Sequence, residues 1–355
     1  MNRPPKILIT ISILVLPPCE SSQAGLLDRI GVMGDSLSAE YLGGLSTQSF
    51  FGQSFSPYVN WVEQLAEDRA FNFGPYGYWG SWRREGYQFN HSSVFLATTA
   101  RLLSPQQQHT GVASHNPTLA YLEIGTNYFV FEHAFDHAIP PFVGGGAFDG
   151  EDPMTMVPQM LIDFRTAMET VAGTAAGPTG TAMVVATVPD AFRSPVLTLI
   201  EPLTALGSWA PYRAAIMAFN DGIRQMAAER GFPVVDLYQF VNGVLGPIDN
   251  PNDTVLVGGV AINVGSPTGS PTDAFLEDGL HPGTVVHGLM ANEFIEAINS
   301  TYGAGVVPLT DAEILENAMI EVPEPSTFTL AGLGLVVIAA FGWRKRGRAI
   351  RGAND

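Results

Sequence analysis

Two short stretches carry residue types that could do nucleophilic chemistry together. Gly34-Asp35-Ser36-Leu37-Ser38 closes an apolar run over Ile30–Met33, and Asp278-Gly279-Leu280-His281-Pro282 precedes the last amphipathic stretch. A serine hydroxyl is a weak nucleophile and needs an adjacent base. Imidazole is the side chain that titrates nearest neutral pH. Among the seven histidines (His91, His109, His115, His133, His137, His281 and His287), His281 has distinctive surroundings: Asp278 stands three residues before it. Over a tight turn that carboxylate can reach Nδ1 of the same imidazole, fixing the tautomer and leaving Nε2 to face the serine. The same residues also have plainer readings. Asp-x-x-His occurs in ordinary turns, and a small polar residue after a strand caps helices.

The elements that must bring these stretches together alternate along the chain. Arg29–Met33, Ala70–Phe73, Leu119–Ile124, Ala182–Val188 and Phe232–Leu237 read as five strands. Between and after them come helical stretches beginning at Trp61, over Met156–Val171, over Pro211–Arg230 with Gly231 as a stop, and over Val285–Ile298. Such alternation predicts an α/β fold, a three-layer α/β/α sandwich with a mainly parallel five-stranded sheet covered on both faces. Ligands of such folds bind beyond the carboxyl ends of the strands, which is where Ser36 falls. Long stretches rich in Gly, Pro and aromatic residues intervene at 38–57, 76–90, 129–153 and 242–276. Segments of this length are usually functional or disordered.

Four blocks in order carry a family resemblance. Gly34-Asp35-Ser36-Leu37-Ser38 and Asp278-Gly279-Leu280-His281-Pro282, with Gly74 in "FNFGPYG" and Gly125-Thr126-Asn127-Tyr128 in "LEIGTNYF" between them, resemble the GDSL, or SGNH, hydrolase family over about residues 28–300. The resemblance implies that Ser36 is the nucleophile, His281 the base and then the acid, and Asp278 the residue that orients His281. It implies an oxyanion hole made of the Ser36 and Gly74 backbone N–H groups and the Asn127 side-chain amide. It implies an ester substrate, a lipid acyl ester or an O-acetylated polysaccharide, and no cofactor. One departure stands out: Tyr128 occupies the position of an aspartate in the family's Gly-x-Asn-Asp block. Tyr128 and Phe129 are expected to form an apolar substrate wall, and Trp79 and Trp82 a binding rim for an acyl chain or a sugar ring. The alternative of a different class is a non-catalytic acidic surface or matrix protein that keeps the fold.

Two other clusters bear on metals. His133, Asp136 and His137 lie close together, but no third ligand is obvious for a zinc-type site. Asp249-Asn250-Pro251-Asn252-Asp253 offers oxygens for calcium, though these residue types favour plain turns. No metal is expected.

Both ends read as addresses. Arg3 and Lys6 precede the apolar run Ile7–Leu16, and Ser22-Gln23-Ala24 forms a cleavage-like site, so residues 1–24 are expected to be a signal peptide. Cys19 is the only cysteine, and cleavage after Ala24 removes it. Stability then rests on an ordinary core over 25–320 rather than on disulfides. Residues 322–351 start with Val322-Pro323-Glu324-Pro325, continue through an apolar transmembrane-like segment at 328–343 and end in five basic residues, Arg344, Lys345, Arg346, Arg348 and Arg351. That pattern resembles the PEP-CTERM sorting tail of Gram-negative bacteria, which implies export and sorting machinery as partners, transient membrane association, and a final place in the envelope, on the surface or in the matrix. Residues 25–343 carry ten arginines against 32 carboxylates, a formal charge of −22. Such a body repels nucleic acid, so no nucleic-acid partner is expected.

Overall fold

Three strands alternate strictly between two apolar faces. In the computed structural model, which describes residues 23–39, 58–74, 98, 99, 103, 108–130, 152–173, 180–203 and 208–321, β1 (Ile30–Gly34), β2 (Leu119–Glu123) and β3 (Ala182–Ala186) pair in parallel, and the two-residue β4 (Val234–Val235) adds to β3. The sheet order is β1-β2-β3-β4. Ile30, Val32, Leu119, Tyr121, Val184 and Ala186 face one layer; Met33, Ala120, Leu122, Met183 and Val185 face the other. Successive strand side chains point to opposite faces, and both faces are covered by helices, so the strands read as continuous apolar runs.

The first layer holds α1 (Trp61–Asp68) and, further along the chain, a long helix at Thr284–Tyr302 with a short one at Asp311–Asn317. The second layer holds α2 (Gln108–Ser114), α3 (Val157–Ala172) and α5 (Ala210–Arg230), with the short α4 (Pro195–Ile200) near the strand ends. After β4 comes α6 (Leu237–Leu245), an antiparallel hairpin of β5 (Thr254–Val257) and β6 (Val260–Asn263), and then the long helix and the short one, α7 and α8. Trp61 anchors the first layer, its ring 4.6 Å from Tyr121 and 5.3 Å from Phe294. Helix α5 ends at Gly231 as its sequence predicts.

The second of the five expected strands, Ala70–Phe73, is not one, and among the described residues the sheet has four strands. Ala70 takes a left-handed backbone (φ +55°), and Phe73 N–H turns back to the Phe71 carbonyl. The segment still lies beside β1, with Ile30 N–H donating to the Asn72 carbonyl and Asn72 N–H to the Leu27 carbonyl. Asn72 Nδ2 also donates to the Asp28 carbonyl, and these three bonds tether the segment to the edge without a ladder. The expected strand over Phe232–Leu237 shrinks to two residues because Asp236 caps α6, its side chain accepting from Gln239 N–H.

Helix α1 is fixed at its start by a capping box. The Asn60 side chain accepts from Val62 and Glu63 N–H, and the Glu63 carboxylate accepts from Asn60 N–H. Asn60 Nδ2 also donates to the Ala39 carbonyl at 2.7 Å, tying the helix to the loop that carries Ser36. Replacing Asn60 by alanine is expected to cost about 2 kcal/mol, the upper part of the range for lost caps, measured by denaturant unfolding. An unchanged midpoint would show that the cap is dispensable.

Candidate active site

The loop after β1 is built around close approach. A Cβ on Gly34 would lie 2.5 Å from the Glu123 carbonyl oxygen, so only glycine lets β1 end against β2 here. Gln108 clamps the same residue, accepting from Gly34 N–H at 2.9 Å and donating to its carbonyl at 3.1 Å. Beyond Gly34 the chain turns at once: Ser38 and Ala39 N–H donate to the Asp35 carbonyl, and Leu37 N–H to Asp35 Oδ1. Ser36 sits on this turn, buried, and its own N–H takes no partner among the described residues.

The second half comes from the loop before α7. Leu276 N–H donates to the His281 carbonyl, Gly279 N–H to that of Leu276, and Gly283 N–H to that of Ala274. Within this tight turn Asp278 Oδ1 accepts from Leu280 and His281 N–H at 2.8 and 2.9 Å. Its Oδ2 lies 2.6 Å from His281 Nδ1, and His281 Nε2 lies 2.9 Å from Ser36 Oγ. Burial pushes the Asp278 carboxyl upward, but the His281 charge and these hydrogen bonds outweigh it and hold it below its ordinary value. The three residues expected to act together therefore meet, 245 positions apart at the serine–histidine contact. His287, one turn into α7, is fully buried; burial and then the His281 charge pull it down to about 3, which keeps it neutral.

The remaining expected residues divide. Asn127 is buried and lines the pocket that holds Ser36 and His281. It follows Gly125, whose φ of +136° and whose contact of 2.7 Å from a would-be Cβ to Val188 both demand glycine. Gly74 (φ +90°) gives its N–H to the Asn72 side chain at 3.0 Å, so that donor must change partner to serve an oxyanion. Phe129 is not a substrate wall: it is fully buried and packs edge-on against Phe219, 6.2 Å between centroids. Tyr128 is part-buried against the same core, and neither residue lines the pocket. The reason is local. Tyr128 N–H donates to the Gly125 carbonyl, and the resulting helical turn carries the Phe129 ring inward against Phe219 of α5. Trp79, Trp82, His133, Asp136 and His137 lie outside the described residues, and among those described no group of three or more His, Cys, Asp or Glu could hold a metal ion. The stretch 249–253 forms turns, with Asn252 Nδ2 donating to the Val244 carbonyl.

Two buried groups beneath the serine escaped sequence reasoning. Glu123, the last residue of β2, accepts from Ser38 Oγ at 3.3 Å, and among the described residues neither its other oxygen nor Asp35 Oδ2 has a partner. Burial, moderated by Leu37 N–H and the His281 charge, pushes Asp35 up to about 7. Burial and then the Asp35 charge push Glu123 well above its ordinary value. A strand-end glutamate inside an otherwise apolar run, "LAYLEIG", is the signal that could have found it.

This arrangement defines a class: an α/β sandwich with a serine, an imidazole and a carboxylate in a hydrogen-bonded row at the strand ends. Comparison with known proteins identifies the tail. Residues 321–346 match the PEP-CTERM protein-sorting motif. No curated protein matches the sequence. Among solved structures, the chain is similar to a protein of Parabacteroides merdae designated a GDSL-like lipase (TM-score 0.43, 16% identity, 76% of this chain and 94% of that one). It is also similar to an acetylxylan esterase of Geobacillus stearothermophilus (TM-score 0.42, 14% identity, 76% and 94%). A third is LAE5, an α/β hydrolase from the metagenome of Lake Arreo (TM-score 0.42, 16% identity, 78% and 95%). At these values the likenesses add nothing to the geometry of the site itself. Among the described residues no helix is long and apolar enough to cross a membrane, and the segment 328–343 lies outside them.

Proposed function

We propose that the chain is an exported serine ester hydrolase that works through an acyl-enzyme. The observation that carries this reading is the buried row Ser36 Oγ–His281 Nε2–His281 Nδ1–Asp278, at 2.9 and 2.6 Å. Asp278 holds the Nδ1 proton, so Nε2 presents a lone pair to the serine. As Ser36 Oγ bonds to the ester carbonyl carbon, its proton passes to Nε2. The carbonyl oxygen takes the negative charge and is met by Ser36 N–H and the Asn127 side-chain amide, with Gly74 N–H as a third donor once it leaves Asn72. Each such donor is worth roughly 2.7–4 kcal/mol in the transition state. Collapse of the intermediate breaks the carbon–oxygen bond to the alcohol, which leaves with the proton from Nε2. Water then repeats the sequence on the acyl-enzyme, and the acid departs. The sorting motif supports export, with residues 1–24 as the leader, 25–320 as the working domain and 322–351 as the sorting signal that engages sorting machinery and touches the membrane transiently.

A fluorophosphonate tests the site without knowledge of the natural ester. The folded chain is expected to take up one phosphonyl group, on the peptide containing Ser36 by mass spectrometry, and His281→Ala is expected to suppress it. A folded chain that stays unlabelled, or that is labelled elsewhere, would favour the matrix-protein reading instead.

A further inference from the structure

The pocket that holds Ser36 and His281 does not stop at them. It extends along one face of α6. Leu237, Phe240, Val241, Val244 and Leu245 form that face. Their spacing of three, four, seven and eight residues from the first makes a continuous apolar stripe on a helix. Val286 and Met290, four apart on α7, line the opposite wall, and Leu37 lies next to the nucleophile itself. The wall is held in place. Arg193 donates to the carbonyls of Leu245, Gly246 and Pro247 and to the Asn242 side chain, fixing the end of α6. Beyond the reacting groups, three polar side chains reach the lining: Thr126, Asp190 and Ser194. The Asp190 carboxylate is engaged by Arg213 at 3.1 Å.

We propose that this pocket takes the acyl chain of the ester, so that the substrate is an ester of a medium- or long-chain fatty acid rather than an acetyl ester of a glycan. The proposal rests on the reading of Ser36 as nucleophile and names the substrate class for that site. An acetyl group would leave the stripe on α6 empty. A sugar ring placed there would bury hydroxyls against Leu, Val and Met, where few partners exist for them. The acyl group, not the alcohol, is assigned to the pocket by the order of events. The alcohol must leave and water must enter between the two half-reactions, whereas the acyl group stays bonded to Ser36 Oγ. A recess walled by Leu237, Leu245, Val286 and Met290, all buried, suits the group that stays. Polar pockets occupied by apolar chains are disfavoured, and apolar ones gain with each methylene removed from water.

The test uses the full chain with p-nitrophenyl esters from acetyl to dodecanoyl, alkyl acetates from ethyl to octyl, and acetylated xylan, beside fluorophosphonate labelling of Ser36. The expected result is a rise in kcat/KM of about fourfold per added acyl methylene over the first several carbons, with little dependence on the alkyl length of the acetates. Val241→Trp, which fills the space, is expected to lower the octanoyl-to-acetyl ratio about tenfold or more. If Ser36 is labelled but turnover is greatest on acetyl esters or acetylated xylan, or is absent beyond acetyl, the acyl-chain assignment falls and the hydrolase reading stands. Rates that follow the alkyl length of the acetates would place the alcohol in the pocket and overturn it too. A chain that neither labels nor hydrolyses any ester removes the hydrolase reading and this one together. Should Val241→Trp fail to fold, the chain-length series of the unaltered protein decides alone.

Discussion

Ser36→Ala and His281→Ala each lower kcat for ester hydrolysis by about 10⁶, and the double variant is no worse than either, because groups that act as a unit lose the same step when any one is removed. Asp278→Asn falls less, by about 10⁴, and the structure says why that change is still severe. Asp278 Oδ1 accepts two backbone N–H groups, from Leu280 and His281. In the variant that place can be filled only by the amide oxygen, since the NH₂ group cannot accept. The NH₂ is thereby turned to His281 Nδ1, which must then accept, and the ring proton moves to Nε2. An imidazole with its proton on Nε2 cannot take one from Ser36 Oγ, so the base is lost while the fold stays. Steady-state kinetics on one activated ester, with unfolding midpoints measured beside them, check the series. An Asp278→Asn variant within tenfold of the unaltered protein would mean that the carboxylate does not set the tautomer.

What the sequence made legible was whatever depends on local pattern. The apolar runs at Ile30, Leu119 and Ala182 became strands because both faces of the sheet are covered, and Asp278 and His281 met within one turn because their spacing allows little else. The chain around Ala70–Phe73 is not a strand because backbone geometry intervenes: the left-handed turn at Ala70 closes the end of α1, with Phe71 N–H donating to the Leu65 carbonyl, and Phe73 N–H turns back to Phe71. Helix α6 begins on the last residue of the expected strand Phe232–Leu237 and ends inside the long stretch 242–276. Its stripe of Leu237, Phe240, Val241, Val244 and Leu245 is plain once seen, but Asn242 and Gly243 interrupt it and Pro247 follows it closely, which reads as loop composition. The β5–β6 hairpin hid in the same way behind Gly258-Gly259. Phe129 belongs by sequence to the stretch after Asn127, yet the helical turn there sends alternate residues to opposite sides: Asn127 to the pocket, Phe129 to Phe219. Gln108 clamps Gly34 from 74 residues away, a contact no spacing rule announces.

The buried acids beneath the nucleophile set the pH dependence of folding. Asp35 is ionised above about 3.8 in the unfolded chain but is held up to about 7 when folded, and Glu123 moves in the same direction from 4.5. A raised folded-state value means that the folded protein keeps protons the unfolded chain has released. The stabilisation is therefore complete below about pH 4 and is lost as pH rises through 7, with ∂ΔG/∂pH negative across that window. For Asp35 alone the span of about three units corresponds to a loss on the order of 4 kcal/mol, at about 1.4 kcal/mol per unit. On the acid side the sign reverses. Glu313, held down to about 2 first by its hydrogen bonds with Arg69, and Asp278, held down by His281, lose their contribution as pH falls below the ordinary carboxylate range. Thermal stability is thus expected to peak near pH 4–5 and to decline toward pH 8. Glu123→Gln separates the two limbs. The amide is close to the shape of the protonated acid, can still accept from Ser38 Oγ, and carries no charge to oppose Asp35. It is expected to raise the melting temperature at pH 8, to leave it nearly unchanged at pH 4.5, and so to flatten the decline. A decline of the same slope in both proteins would show that Glu123 is ionised in the folded state and that other groups carry the pH dependence. A variant destabilised equally at both pH values would show instead that the second carboxylate oxygen has a structural partner that the amide cannot replace.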